Sequence, residues 1–374
     1  MRLNSANVVI TPGSQIKSKP LLTFALLAYN QDRFIQEAIE GAFSQTYSPL
    51  EIILSDDCSA DRTFEIMRDA AANYGGPHKV VLNCNPKNVG LTEHLNRVVG
   101  LASGDLIVVA GGDDISLPER VALSAESWEL SGRQVTSIHG RFVVIDERGR
   151  LTGDESRITW PSTEAVHLRQ NVKPVDFVRS LRPSVQGSCH AFAKRLFTDL
   201  GPLPAYVEYD DLALAFRSAL VGEIAYVDRV FAKYRRHGRN TYSPLQIDAV
   251  MNADQLWAYH QQVARECFRS VRLYDCFERD VNTLAEREKL DFKTTTELKR
   301  EIAAARRLCQ IKLDLFDPSP IRRFQAFWNV VKAGGEVKYA LGRLTPRFLY
   351  DWIFFSRIKL GHTPRGFLVG GDHS

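Results

Sequence analysis

The sequence predicts an α/β fold, a mostly parallel sheet covered by helices and followed by a helical appendage. Two observations carry that reading. Apolar runs of strand length alternate with helical stripes from residue 21 to about residue 131, and a purely helical periodicity takes over between 250 and 315.

The elements follow in order. LLTFALLAY (21–29) reads as a buried strand, and residues 32–46 place Ile35, Ala38, Ile39 and Ala42 on one helical face. EIILS (51–55) is the next strand, 61–73 the next helix, KVVLN (79–83) a strand, 91–102 a helix and DLIVVA (105–110) a strand. Repeated βα units of this kind build a parallel sheet with helices on its faces. In Ser116-Leu117-Pro118-Glu119 the Ser and Glu have the spacing of a capping box and Pro falls in a first turn, so a helix is expected to start there and to stop at Gly132. TSIHGRFVVID (136–146) predicts a strand, residues 147–149 a turn, and the stretch to about 172 a loop. From 250 to 315, one stripe holds Leu256, Tyr259, Val263, Cys267 and Val271, and another holds Leu298, Ile302, Ala305 and Cys309.

Composition narrows the function. Of 374 residues, 48 are Lys or Arg and 44 Asp or Glu, a net charge of +4 that is too balanced for nucleic acid as the main partner. Six cysteines (58, 84, 189, 267, 276, 309) show no CxxC spacing, which argues against a zinc site or redox dithiol and fits free thiols in a reducing compartment. No stretch of about 18 uncharged apolar residues occurs. The expectation is a cytoplasmic protein, neither secreted nor transmembrane.

Ligands of a parallel α/β sheet bind outside the carboxyl ends of its strands. Two strand ends here carry adjacent aspartates, Asp56-Asp57 and Asp113-Asp114. Two carboxylates about 4 Å apart repel by about 1 kcal/mol in water and about 4 kcal/mol at an effective dielectric near 20. A divalent cation reverses that sign, and Mg²⁺ or Mn²⁺ keeps positions open for phosphate oxygens. A single Asp-Asp pair is more often a cap or loop feature, so the weight lies in finding two pairs at two strand ends. A third cluster, Glu208-Tyr209-Asp210-Asp211, precedes an apolar helical run and by itself reads equally as an acid-rich helix start. The segment Tyr234-Arg235-Arg236-His237-Gly238-Arg239-Asn240 could hold phosphates or complete a metal shell, or be a solvated charged loop.

Taken in order, these residues resemble the family 2 glycosyltransferases, inverting enzymes of the Rossmann-like GT-A fold. The pieces are Leu27-Ala28-Tyr29-Asn30, Gln45-Thr46-Tyr47, Ser55-Asp56-Asp57-Cys58-Ser59-Ala60-Asp61-Arg62-Thr63, Asn88-Val89-Gly90, Ala102-Ser103-Gly104-Asp105, Gly112-Asp113-Asp114 with Pro118, Asp210-Asp211 with Arg217, and Tyr234-Arg235-Arg236-His237. The resemblance implies a nucleotide subsite at Tyr29, Asn30, Asp57, Gly90 and Asp113, with Tyr29 against the base, Asp57 on a base NH and Asp113 on the ribose. It implies Asp114 and His237 as ligands of Mn²⁺ or Mg²⁺, and Asp211 as the general base. Asp210, Arg235, Arg236 and His190 fall on the acceptor or diphosphate side, and Cys189 or His190 could touch the acceptor. The donor it implies is a nucleoside diphosphate sugar, UDP- or dTDP-linked, and the acceptor a saccharide or lipid-linked hydroxyl. Two positions depart from the common pattern: Cys58 stands where glycine is usual, and Gly111 replaces the first aspartate before the second pair.

The expected organisation is an N-terminal extension (1–20), a nucleotide-sugar and acceptor domain (21–245), a helical extension (246–318) and a basic aromatic tail (319–374). Residues 322–365 of that tail hold nine basic and two acidic side chains interleaved with aromatics, the mixture of an interfacial segment on an anionic membrane or of a strap packed on the domain. A sugar-nucleotide nucleotidyltransferase is disfavoured, because a glycine-rich basic signature is missing after the first strand, where Tyr29-Asn30-Gln31-Asp32 stands. A membrane-associated scaffold with a degenerate site is the other alternative, raised by Cys58 and Gly111.

Overall fold

The computed structural model describes residues 19–155, 167–170, 172–181, 185, 187–238, 240, 250–251, 253–315 and 367–368. The chain alternates as expected through β1 (Leu22–Ala28), α1 (Ile35–Phe43), β2 (Leu50–Asp56), α2 (Thr63–Ala72), β3 (Lys79–Cys84), α3 (Leu91–Leu101) and β4 (Leu106–Gly111). β3, β2, β1 and β4 lie side by side in that order and run parallel. Both faces of β1 and β2 are covered, so these strands are buried at all seven positions and are mostly apolar, their exceptions being Thr23, Glu51, Ser55 and Asp56. Alternation sorts them between two cores: Ala25, Leu27 and Ile53 pack toward α3, whereas Phe24, Leu26, Ile52 and Leu54 pack toward α1.

Beyond β4 the sheet becomes mixed. Two-residue β5 (Ile115–Ser116) leads into α4 (Arg120–Leu130), followed by β6 (Val135–Ile145), β7 (Leu151–Glu155), β8 (His167–Gln170), α5 (Pro174–Ser180), a single 3₁₀ turn (Gly187–Cys189), β9 (His190–Ala193), α6 (Arg195–Leu200), α7 (Asp210–Val221) and β10 (Glu223–Arg235). β9 inserts antiparallel between β4 and β6, β10 pairs parallel with β6, and β5, β7 and β8 add antiparallel. The chain is an α/β protein with a mixed, mostly parallel sheet flanked by helices, as the sequence predicts.

Three local expectations change. Ser116 does not cap α4: it pairs in β5 with Ala232 of β10, and α4 starts at Arg120 with no side-chain cap. Its stop is where the sequence places it, Gly132 having φ +64°. The stretch expected as loop contains β7 and β8, pinned to β6 and β10. β9 and β10 were not expected as strands.

Two long helices, α8 (Ala253–Glu286) and α9 (Phe292–Leu315), form the helical extension. They do not stand apart: Leu273, Tyr274, Phe277, Val281, Leu298 and Ile302 share one core with Phe216 of α7 and Ile224 of β10. The Phe216 and Phe277 rings stack at 3.8 Å. Beside them Arg217 and Asp280, both wholly buried, form a two-pronged ion pair at 2.8 and 3.0 Å. Among the described residues no helix is long and apolar enough to cross a membrane. The N-terminal extension up to residue 18 and the basic aromatic tail lie outside the described residues, apart from Phe367–Leu368, which pair with Val250–Met251.

Candidate active site

The carboxyl ends of β2 and β4 carry two aspartate pairs singled out in the sequence, and Tyr29-Asn30 follow β1 beside them. Asp56 ends β2 and is buried; its carboxylate accepts the Ser59 amide at 2.8 Å and the Ser59 hydroxyl. That turn forces Cys58 to φ +61°, the left-handed conformation glycine adopts without cost. Ser59 in turn accepts the Asn30 amide at 2.8 Å, and Asn30 Oδ1 accepts the Ala60 amide at 2.8 Å, so the loops after β1 and β2 are laced together. Tyr29, at the tip of β1, is 46% exposed.

Asp57 is 3% exposed and accepts from Asn85 Nδ2 at 2.7 Å and from the amides of Val89 and Gly90 at 2.9 to 3.2 Å. Gly90, at φ +82°, caps the N-terminus of α3. The Asp57 carboxylate therefore holds the loop that enters α3, beside exposed Leu91 and within the same cluster of strand ends as Tyr29.

Asp113 and Asp114 follow β4. Gly112 must be glycine, because a Cβ there would lie 2.5 Å from Gln31 Oε1 and 2.7 Å from Ala28 Cβ. Asp114 is 4% exposed, and its Oδ1 accepts the Arg235 amide at 2.9 Å. Burial first, and the adjacent Asp113 second, push the Asp114 carboxyl well above the usual range. Asp113 Oδ2 lies 3.0 Å from His237 Nε2, and that imidazole packs on Phe34 with ring centroids 4.9 Å apart.

Asp210 and Asp211 open α7, in its first turn. Both are partly accessible, and Leu212 donates its amide to Asp211 Oδ1 at 2.8 Å. Burial, and then Asp211, raise the Asp210 carboxyl to about 7; burial raises Asp211 as well. The 3₁₀ turn joins this pair to the β4 pair. A Cβ on Gly187 would sit 3.6 Å from Asp211 Cβ, and Cys189, two residues on, is close enough to feel the charge of Asp114.

Residues 23–197 match the family model described as Glycosyl transferase family 2. Those residues, a little under half of the chain, are similar to that family. The match includes Tyr29, Asn30, Asp57, Gly90, Asp113, Asp114 and His190, while Asp210, Asp211 and His237 lie beyond it and rest on geometry. Among similar curated proteins, an uncharacterised protein of Mycobacterium tuberculosis is 27% identical over 232 residues, 61% of this chain and 62% of its own length. EpsE of Bacillus subtilis is 37% identical over 134 residues, 36% of this chain and 47% of EpsE. Chondroitin synthase of Escherichia coli is 25% identical over 235 residues, 60% of this chain and 30% of the synthase. The chain thus spans less than two thirds of the length of each of these relatives.

The basic side chains do not all face the site. Arg235 is wholly buried: its cation lies 4.9 Å over the Phe34 ring, Nε donates to the Asp113 carbonyl at 2.9 Å, Nη1 lies 3.3 Å from the carbonyls of Asp146 and Glu147, and Nη2 pairs with Glu37 at 3.1 Å. Instead of reaching a diphosphate, it clamps the Asp113-Asp114 turn to α1 and to the β6–β7 turn. Arg236 is exposed and pairs with Asp154 at 2.8 Å. His190 is placed in the core instead of on the acceptor surface. It is 2% exposed, shares a 2.8 Å hydrogen bond with Ser137 Oγ, and burial lowers it to about 3. Cys189 is likewise buried, with its thiol pushed up to about 12.

Among the described residues no three His, Cys, Asp or Glu side chains gather into a ready-made metal cage. The donor set is instead that of a half-site. Asp113 and Asp114 repel each other beside His237, which suits a hard dication whose remaining positions are taken by phosphate oxygens. Phe34, against which both Arg235 and His237 pack, was missed in the sequence, where it is one apolar residue before a helix.

Proposed function

We propose that this chain transfers a sugar, with inversion, from a nucleoside diphosphate sugar to a hydroxyl acceptor. One observation carries the reading. The carboxyls held at raised proton affinity, Asp114 inside the family-matched residues and the Asp210-Asp211 pair beyond them, lie on either side of a single 3₁₀ turn at the carboxyl end of the sheet.

In this reading Asp211 accepts the proton of the acceptor hydroxyl as its oxygen attacks the anomeric carbon from the face opposite the diphosphate. The new C–O bond forms as the bond to the diphosphate breaks, and the configuration inverts. Tyr29, Asn30, Asp57 and Gly90 frame the nucleotide, and Asp113 faces the ribose. Asp114, with His237, would hold Mn²⁺ or Mg²⁺, which neutralises charge on the departing diphosphate when bound. The donor is proposed as UDP- or dTDP-linked. The acceptor is a saccharide or lipid-linked hydroxyl in surface polysaccharide or glycolipid assembly, in keeping with a relative named as a chondroitin synthase. The basic aromatic residues 322–365 would hold the enzyme on the cytoplasmic face of an anionic membrane, beside such an acceptor.

The test is a donor panel assayed for release of nucleoside diphosphate with and without Mn²⁺, followed by Asp211→Asn. Release from at least one donor is expected, with transfer lost and nucleotide binding kept in the variant. Near-normal turnover by Asp211→Asn would remove the base assignment, and no release from any donor would favour a degenerate scaffold. Equal binding of the full chain and of a chain ending near residue 318 to anionic liposomes would remove the membrane role.

A further inference from the structure

The segment that delivers the Asp210-Asp211 pair is gripped from two sides. On one side α3 holds it: Asn96 exchanges hydrogen bonds with Leu203, Nδ2 to its carbonyl at 2.8 Å and Oδ1 from its amide at 2.9 Å, and Thr92 Oγ1 donates to the Val207 carbonyl at 2.5 Å. On the other side α8 holds it. Arg269 pairs with Glu208 at 2.7 Å and with Glu266 at 3.3 Å, and its cation lies 5.9 Å over the Tyr209 ring. The Tyr209 hydroxyl donates to Glu266 Oε2. Tyr209 is the N-cap residue of α7, and its carbonyl accepts the Ala213 amide at 3.0 Å, the first hydrogen bond of the helix that carries both aspartates.

We propose that Glu266 is a positioning residue, acting through Tyr209 to fix the first turn of α7 and thereby aim the Asp210-Asp211 carboxyls at the acceptor; this rests on the glycosyl-transfer reading above. The alternation Glu208, Arg269, Glu266, Tyr209 leaves each charge in the clasp facing an opposite one. A partly buried ion and hydrogen-bond network of this type has discrete geometry, unlike a lone surface pair. The buried Arg217–Asp280 pair fixes the same helix to α8 two turns further on, so α8 sets both where α7 sits and how its first turn is held. Displacing a reacting group by about 1 Å can cost up to a hundredfold in rate.

The experiment compares wild type, Tyr209→Phe, Glu266→Ala and the double variant in the full chain. The readouts are steady-state transfer across pH and hydrogen exchange at the Ala213 amide. Each single variant is expected to lower kcat by about ten- to a hundredfold with donor KM within about twofold, and the double variant to match the singles. The acid limb of the pH profile should move to lower pH, since a loosened turn lets water reach the carboxyls, and Ala213 exchange should quicken while the strands are unchanged. Unchanged kcat and pH profile in an active background, additive losses, or unchanged Ala213 exchange would each overturn the proposal. If wild type transfers nothing, the glycosyl-transfer reading fails by itself, and the exchange measurement still decides whether Glu266 holds this turn.

Discussion

Replacing Asp210 by Asn should stabilise the protein above neutral pH and leave it unchanged in acid. Asp210 is pushed from its ordinary 3.8 to about 7, by burial and then by Asp211. A carboxyl raised in the folded state penalises folding only once the unfolded chain ionises. The penalty is absent below about pH 4, grows as pH rises and is complete above about pH 7. At about 1.4 kcal/mol for each tenfold in proton affinity, the gap amounts to about 4 kcal/mol. The pair is partly open to water, and screening takes this to about 2 kcal/mol. Asn keeps the shape and removes both the buried charge and its repulsion of Asp211. Urea unfolding of wild type and Asp210→Asn at pH 4.5 and pH 8 measures the effect: a gain of about 2 kcal/mol at pH 8 that shrinks toward zero at pH 4.5. An equal change at both pH values, or a loss at pH 8, would show that Asp210 is held by hydrogen bonds that favour its charged form.

Arg217→Met should cost about 3 kcal/mol in urea unfolding, because it leaves Asp280 buried with only the half-buried Arg279 at 3.2 Å, whereas Arg217→Met with Asp280→Leu should recover most of the loss. Gly111→Asp, which restores the common aspartate, should not raise Mn²⁺-dependent nucleotide binding in a thermal-shift titration. Its Cβ would fall 2.8 Å from Asp113 Oδ1 and drive that carboxylate from His237, at a stability cost of about 1 to 3 kcal/mol. Cys58→Gly should stabilise the fold by about 0.5 to 1 kcal/mol, since the φ of +61° strains any residue with a Cβ by slightly more than the added entropy of glycine in the unfolded chain; unfolding midpoints decide it.

The first half of the fold is legible because its signals are local. β1, β2 and β4 are covered on both faces and so are mostly apolar, and each following helix shows its buried stripe within a dozen residues. What fails to show in sequence depends on distant partners. β10 is interrupted by Asp228 and Arg229 and carries register shifts between Val227 and Ala232, so no clean alternation survives. β9 has four residues and exists only because β4 and β6 flank it. Ser116 has the spacing of a cap, yet pairing with β10 outweighs that local preference. The site divides the same way. Asp57, Asp113, Asp114, Asp210 and Asp211 announce themselves as adjacent acids at element ends. Arg235 in a run of basic residues looks solvated, and only the folded chain brings Phe34, Glu37 and three backbone carbonyls around it.

The aspartates of the site fall into two groups by what surrounds their oxygens. Asp56, Asp57 and Asp61 each accept two or more donors: Asp56 the amide and hydroxyl of Ser59, Asp57 the Asn85 side chain and the amides of Val89 and Gly90, and Asp61 the amides of Asp32 and Thr63 and the Thr63 hydroxyl. They build loops, and their charge is satisfied within the fold. Asp114, Asp210 and Asp211 are compensated less than their burial demands: the Arg235 amide reaches Asp114 and the Leu212 amide reaches Asp211, yet burial dominates at all three, and a neighbouring aspartate adds to it at Asp114 and Asp210. Folding alone gives no reason to leave carboxyls in that state, since exchanging any of them for an amide would relieve the repulsion. A dication for one group and a proton from an acceptor hydroxyl for the other would each supply the missing positive charge. The unequal treatment of chemically identical side chains thus separates carboxylates whose charge the fold satisfies from those at which burial outweighs the hydrogen bonds they accept.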